Sequence, residues 1–121
     1  MLIIIFAAFF NFAFGVFHLF FWRLLHWKDQ LNRVSQVNRA VVQTLNICLT
    51  FMFFLMAYLC LVYTAEIQST KIGQTLYVGM AFFWFLRTIS QVYFFNLKER
   101  VHQILLMLFI IGIAIHILPF I

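Results

Sequence analysis

The sequence predicts an all-α membrane protein whose four transmembrane helices form an up-down antiparallel bundle. Of its 121 residues, 66% are hydrophobic and only 9% are charged, whereas soluble domains average about 45–50% apolar and about 25% charged residues. Charged and polar residues divide the chain into four apolar stretches, each close to the roughly 20 residues that cross a hydrocarbon core. Four spans use nearly the whole chain, so residues 1–121 are predicted to form one transmembrane domain without a soluble catalytic domain.

The spans are predicted, in order, at about residues 2–27, 39–65, 74–96 and 101–119. The first stretch lacks a basic leading region and a small-residue cleavage site, so we interpret it as a retained span rather than a signal peptide. Because the connections are short, consecutive spans are expected to be antiparallel neighbours.

The orientation of the bundle follows from its basic residues. These flank two of the three connections: Arg23, Lys28, Arg33 and Arg39 at the first, and Lys98 and Arg100 at the third. The second connection holds Glu66 and a single Lys71. The positive-inside rule therefore places residues 28–38 and 97–100 in the cytoplasm and both termini outside, and we expect the bacterial inner membrane as the location.

The first connection has an apolar periodicity of its own. Trp27, Leu31, Val34 and Val37 follow at steps of four, three and three, with polar residues between them. This pattern predicts a short amphipathic helix on the cytoplasmic leaflet, where each basic residue would favour anionic lipid by about 1 kcal/mol. A helical extension of the second span would explain the same spacing.

Each span carries its polar and small residues on one face. Steps of three and four residues group Asn11, Gly15, His18, Trp22 and His26 in the first span, Arg39, Gln43, Asn46 and Thr50 in the second, and Met80, Trp84, Arg87 and Gln91 in the third. In the fourth span, His102, Phe109, Gly112 and His116 lie roughly on one side. Because polar side chains are costly in lipid, these faces are expected to converge on the bundle axis.

The helical rise also predicts depth. Counted from the cytoplasmic ends at about 1.5 Å per residue, His18 and Arg87 lie about 14 Å deep, Asn46 about 10 Å, and Gln91 and Gln43 about 8 and 6 Å. This predicts one polar cluster in the cytoplasmic half. The candidate ligand-binding residues are His18, Trp22, Gln43, Asn46, Trp84, Arg87 and Gln91.

Arg87 is the most informative of these residues. The three acidic residues of the chain, Asp29, Glu66 and Glu99, all lie at connections, so no span interior offers a carboxylate. Arg87 could be held by polar neighbours and helix carbonyls to lock the bundle, or could extend to cytoplasmic lipid phosphates. It could also bind an anionic group on a ligand, a lipid headgroup or a partner subunit.

The histidines raise a remote alternative, a b-type haem protein. His102 and His116 are fourteen residues apart on one predicted helix, a spacing compatible with two stacked haems, but only His26 matches His102 in depth. No carboxylate or cysteine joins the histidines at metal-ligand spacing. We therefore predict no cofactor and no metal site.

The residue pattern favours a non-catalytic protein. It contains no nucleophile–base–orienter set, no paired carboxylates and no phosphate loop, and its basic residues belong to membrane topology rather than to nucleic-acid binding. We expect an accessory or assembly subunit, or a lipid- or anionic-ligand-binding protein, within a homo-oligomer or a larger membrane complex. The alternative is a small oligomeric transporter or channel for an anionic solute, although the chain lacks the first-span acid of small four-span multidrug exporters and the glycine-rich breaks of small fluoride channels.

Overall fold

The computed structural model describes all 121 residues and consists of helices and short connections, without strands. Three helices are long and apolar enough to cross a membrane: Leu2–Leu19, Gln36–Val62 and Arg100–Phe120. The predicted all-α class is thereby confirmed, and membrane-compatible length and composition are found in three helices.

Seven α-helices follow one another along the chain, and two short 3-10 turns accompany them. The helices are α1 (Leu2–Leu19), α2 (Phe21–Leu24), α3 (Trp27–Gln30), α4 (Gln36–Val62), α5 (Thr64–Ser69), α6 (Lys71–Phe94) and α7 (Arg100–Ile117); the turns are Leu31–Arg33 and Leu118–Phe120. The chain divides into two units, one of Ala8–Leu59 and one that combines Met1–Ala7 with Cys60–Ile121. We call them the first-connection unit and the α6–α7 unit.

Helix α6 matches the predicted third span in position, but it is more polar than the other long helices. Its 24 residues are enough to cross a hydrocarbon core. However, Lys71, Gln74, Arg87, Ser90 and Gln91 lie along it, and it is not among the three helices whose composition suits a membrane span. The fourth span, and with it the four-helix bundle, therefore stays a prediction.

The first connection is more broken than its periodicity indicated. Helix α1 ends at Leu19 instead of near residue 27, and α3 begins only after His26, whose φ of 53° lies in the left-handed region. Val34 is extended, with φ −112° and ψ 165°, which ends the helical turn before it. The apolar spacing from residue 27 to 37 thus runs through separate short turns, and neither a continuous amphipathic helix nor a long extension of α4 is formed.

The start of α4 has a local cause. The Ser35 hydroxyl accepts a hydrogen bond from the backbone N–H of Asn38 at 3.2 Å, which is the geometry of a helix N-cap. Helix α4 accordingly begins at Gln36, three residues before the predicted start of the second span.

Aromatic rings join α1 and α4 within the first-connection unit. The rings of Phe14 and Phe53 are 5.9 Å apart, and those of Phe12 and Phe54 are 5.4 Å apart. Gly15 leaves room for this packing, because a Cβ atom there would lie 2.7 Å from the Phe54 ring.

In the α6–α7 unit, Gly73 permits a tight corner between α5 and α6. The Thr70 hydroxyl caps α6 by accepting from the Gly73 N–H at 3.1 Å. A Cβ atom on Gly73 would lie 2.5 Å from the Cα of Ile67 and 2.7 Å from the carbonyl oxygen of Glu66. Because both of these are backbone atoms, no side-chain rotation can make room, and only glycine fits.

Helices α6 and α7 meet along a regular antiparallel seam. Tyr77, Trp84 and Gln91 follow at seven-residue intervals on α6, and each is at most 1% exposed. The Tyr77 hydroxyl donates to the Ile115 carbonyl at 2.7 Å, the Trp84 ring stacks on Phe109 at 5.8 Å, and the Gln91 side chain reaches the first turn of α7. We call this arrangement the α6–α7 seam.

Substitution of Gly73 by alanine should lower the thermal unfolding temperature in detergent. The backbone must shift to admit the methyl group, at a cost of about 1–3 kcal/mol. Gly79→Ala is the matched control on the same helix, because nothing lies within 4 Å of its Cβ position; it should be neutral or stabilising by about 0.5–1 kcal/mol. Equal unfolding temperatures for the two variants would contradict the corner described above.

Candidate functional site

Two of the predicted site residues, His18 and Asn46, form a closed pair within the first-connection unit. His18 Nδ1–H donates to Asn46 Oδ1 at 2.8 Å, and Asn46 Nδ2 donates back to the His18 carbonyl oxygen at 2.9 Å. The carboxamide oxygen can only accept, so the proton of the histidine lies on Nδ1. The pair links the end of α1 to α4.

Trp22 and Gln43 form a second link of the same kind, between α2 and α4. Trp22 Nε1–H donates to Gln43 Oε1 at 2.8 Å, while Gln43 Nε2 donates to the carbonyl oxygen of Arg39 at 3.1 Å. The Trp22 ring also contacts Trp27, with centroids 5.2 Å apart. Both amide side chains thus use donor and acceptor within the unit, which is the arrangement of residues that hold helices together.

Replacing Asn46 by leucine should destabilise the protein by roughly 1–3 kcal/mol, because two interhelical hydrogen bonds of about 0.6–1.7 kcal/mol each are lost. Thermal unfolding in detergent measures the change. Asn38→Leu is the control, since Asn38 is exposed near the start of the same helix. An unfolding temperature for Asn46→Leu equal to that of Asn38→Leu would show that the His18–Asn46 pair contributes nothing.

The other three predicted site residues, Trp84, Arg87 and Gln91, lie on α6 in the α6–α7 unit. The Arg87 guanidinium carbon lies 4.3 Å from the ring centroid of Phe109 and 5.3 Å from that of Phe95. Its guanidinium forms no hydrogen bond or ion pair with another group of the chain; the ion pair at this end of the molecule joins His102 and Glu99 instead. Arg87 is therefore a half-buried cation held by aromatic faces.

Gln91, one helical turn beyond Arg87, has one hydrogen-bonding atom without a partner. Its side chain is fully buried, and its Nε2 donates to the carbonyl oxygen of His102 at 3.0 Å. Its Oε1 is buried and accepts no hydrogen bond. An unsatisfied buried acceptor costs about 1–3 kcal/mol of folding stability. This atom therefore either lowers the stability of the protein or accepts a hydrogen bond from a donor outside the chain.

The connection from α6 to α7 lies next to both residues. The Phe95 ring, which contacts Arg87, is 5.1 Å from the His102 ring. His102 Nδ1–H donates to the Asn96 carbonyl at 3.0 Å, and the Glu99 carboxylate is 3.3 Å from the same nitrogen. Glu99 precedes α7 with extended backbone, and its side chain does not cap the helix.

The histidines of the haem alternative are distributed over both units. His26 is exposed in the first-connection unit, and His102 makes the contacts just described. His116 is fully buried, donates from Nδ1 to the Gly112 carbonyl at 2.8 Å and lies 5.0 Å from the Tyr77 ring. No group of three or more histidine, cysteine, aspartate or glutamate residues is placed to hold a metal ion.

The chain matches no protein-family model, no curated protein and no solved structure. Its function must therefore be argued from its own side chains.

The seven predicted site residues thus form two sets. His18, Trp22, Gln43 and Asn46 satisfy one another within the first-connection unit, whereas Trp84, Arg87 and Gln91 share a face of α6. That all seven form one cluster stays a prediction.

Sequence reasoning missed Phe95 and Tyr77. Tyr77 could have been found from its seven-residue spacing to Trp84, but no periodicity marks Phe95, which lies beyond the end of the helix.

Proposed function

We propose that this chain is a small non-catalytic integral membrane protein that binds an anionic group at Arg87. In this proposal the antiparallel bundle has four spans: the three helices of suitable length and composition and, in addition to them, α6. The anionic group belongs to a lipid headgroup, a ligand or a partner subunit, because the spans of this chain contain no carboxylate.

The observation that carries the proposal is the environment of Arg87. A cation in a span costs about 2.5–3.5 kcal/mol on insertion scales. Contacts with the rings of Phe95 and Phe109 offset part of this, at about 0.5–2 kcal/mol for a cation–π interaction. The N–H groups of the guanidinium form no bonds within the chain, so an external anion would supply the interaction that the protein lacks.

The position of the guanidinium supports a cytoplasmic site. It contacts Phe95, the first residue after α6, and so lies toward the connection that carries Lys98 and Arg100. By the positive-inside rule this connection and the first one face the cytoplasm, where anionic lipids are abundant. We therefore propose that the termini lie outside, that the membrane is the bacterial inner membrane, and that anionic lipid is the first candidate partner.

The topology can be measured by labelling single cysteines in intact cells. In a Cys48→Ala, Cys60→Ala background, Gln68→Cys lies in the second connection, within α5, and Gln30→Cys lies in the first; both positions are exposed. A membrane-impermeant maleimide should label position 68 in intact cells and position 30 only after permeabilisation. The reverse pattern would invert the proposed orientation, and labelling of both positions in intact cells would contradict a single crossing of the membrane by α4 between them.

Native mass spectrometry in the mildest workable detergent tests the binding proposal. The wild-type protein should carry a stoichiometric anionic adduct or partner chain, which Arg87→Ala loses because the guanidinium no longer holds it. Arg33→Ala removes an exposed charge of the first connection and should retain the adduct. Bare wild-type protein, or an adduct retained equally by folded Arg87→Ala, would overturn the proposal.

A further inference from the structure

The cytoplasmic end of the α6–α7 seam has two unmet hydrogen-bonding requirements of opposite kind. Arg87 presents N–H donors that bind nothing in the chain, and Gln91 presents a buried acceptor, Oε1, without a donor. The two residues are one turn apart on the same face of α6. A simple anion would satisfy Arg87 alone and leave Gln91 as it is.

The N-terminus of α7 adds a third feature at the same place. This helix has 18 residues, and the Glu99 side chain before it makes no capping bond. The N–H groups of its first turn point out of the helix, where the positive end of the helix dipole favours a phosphate. The Gln91 side chain contacts this turn through its bond to the His102 carbonyl, so its amide lies beside the first turn of α7.

The charges around the connection are mixed. Lys98 and Arg100 flank it and favour an anion. The Glu99 carboxylate, 59% exposed and 3.3 Å from His102 Nδ1, opposes one. The Asn96 side chain is already used, because its Oδ1 accepts from the Lys98 N–H at 3.1 Å.

We infer that the group bound here is a phosphate ester that also carries a hydroxyl or ammonium donor. Its phosphate oxygens would accept from Arg87 and from the first-turn N–H groups of α7, and its donor would bond to Gln91 Oε1. The inference rests on the proposed function and specifies the chemistry of its ligand. A carboxylate, or a phosphodiester without a donor, would leave Gln91 unsatisfied.

Gln91 Oε1 is buried, so a donor can reach it only when neighbouring side chains move. Phe95 is 40% exposed and lies just beyond α6 with extended backbone, so its ring is held by contacts with Arg87 and His102 rather than by a helix. Because Phe95 lies one turn after Gln91, this ring is the side chain that we expect to move when the ligand binds.

The same chemistry could come from a lipid headgroup or from a free phosphate ester. Phe94, Val101 and Ile104 beside the connection are 75%, 57% and 51% exposed, and these apolar side chains suit acyl chains. Phosphatidylglycerol and sn-glycerol 3-phosphate are therefore the two probes that separate the sources.

The test compares two phosphodiester lipids of equal charge, of which phosphatidylglycerol has headgroup hydroxyls and phosphatidylmethanol has none. Native mass spectrometry of delipidated full-length protein, titrated with phosphatidylglycerol or phosphatidylmethanol, should give a dissociation constant about tenfold lower for phosphatidylglycerol, which is the factor expected from one hydrogen bond to a buried acceptor. Gln91→Met should abolish this preference. Gln68→Met is the control, because Gln68 lies exposed in α5, outside the proposed site.

The outcomes distinguish this inference from the proposed function. Equal binding of both lipids by the wild type, with loss of both in Arg87→Ala, would overturn the donor requirement and leave the anion site standing. Lipid binding that is independent of Arg87 would overturn both. Binding of sn-glycerol 3-phosphate as tightly as phosphatidylglycerol would support the proposed ligand chemistry and indicate a soluble ligand. If Gln91→Met does not fold, the preference of the wild-type protein for phosphatidylglycerol over phosphatidylmethanol still tests the inference.

A second arm of the titration tests the place of the phosphate. Glu99→Gln removes the carboxylate beside the first turn of α7 and should tighten both lipids several-fold, whereas Glu66→Gln, on exposed α5, should change neither. Unchanged affinity in Glu99→Gln would exclude the N-terminus of α7 as the phosphate site.

Discussion

The structure depends on one constraint: polar side chains in apolar helices must find partners within the protein or from a ligand. The α6–α7 seam meets it with carbonyl oxygens, since Tyr77 donates to Ile115 and Gln91 donates to His102. The two donors are fourteen residues apart and lie at opposite ends of the seam. A shift of α7 by one residue would break both bonds together and separate Trp84 from Phe109, so these contacts fix the register of the two helices.

The same constraint has a different result in the first-connection unit. There the amide of Asn46 binds His18 through both its oxygen and its nitrogen, and Gln43 likewise uses both ends of its amide. A side-chain amide whose oxygen and nitrogen both form hydrogen bonds within the protein has less hydrogen-bonding capacity left for a ligand. The functional interest therefore moves to α6, where Gln91 is satisfied at one end and Arg87 contacts only ring faces. A candidate binding site is therefore recognised by polar groups whose hydrogen bonds are incomplete, and not by the presence of polar groups alone.

Much of this could be predicted from periodicity, and the rest could not for definite physical reasons. Spacing placed Trp84, Arg87 and Gln91 on one face of α6, and it singled out both His18 and Asn46, which the structure joins by hydrogen bonds. It could not show that α1 ends at Leu19, because residues 20–25 are apolar except for Arg23 and nothing in them predicts the left-handed backbone of His26. Nor could it predict the partners of Gln91 and Tyr77, which are backbone carbonyls and therefore independent of the side chains on α7. The amphipathic spacing after Trp27 was real, but the cap at Ser35 starts a new helix within it.

The aromatic contacts of Arg87 explain how a half-buried cation can keep its hydrogen-bond donors unbound. A carboxylate in the same position would bind the guanidinium in its plane through two N–H groups and use the donors that an external anion needs. Aromatic rings instead interact with the cation through their faces, and they accept no conventional hydrogen bond from it. Phe109 and Phe95 thus hold the charge near the end of α6 while its planar donors stay unbound. A carboxylate beside Arg87 would occupy these donors, but Asp29, Glu66 and Glu99 all lie outside the long helices of the chain.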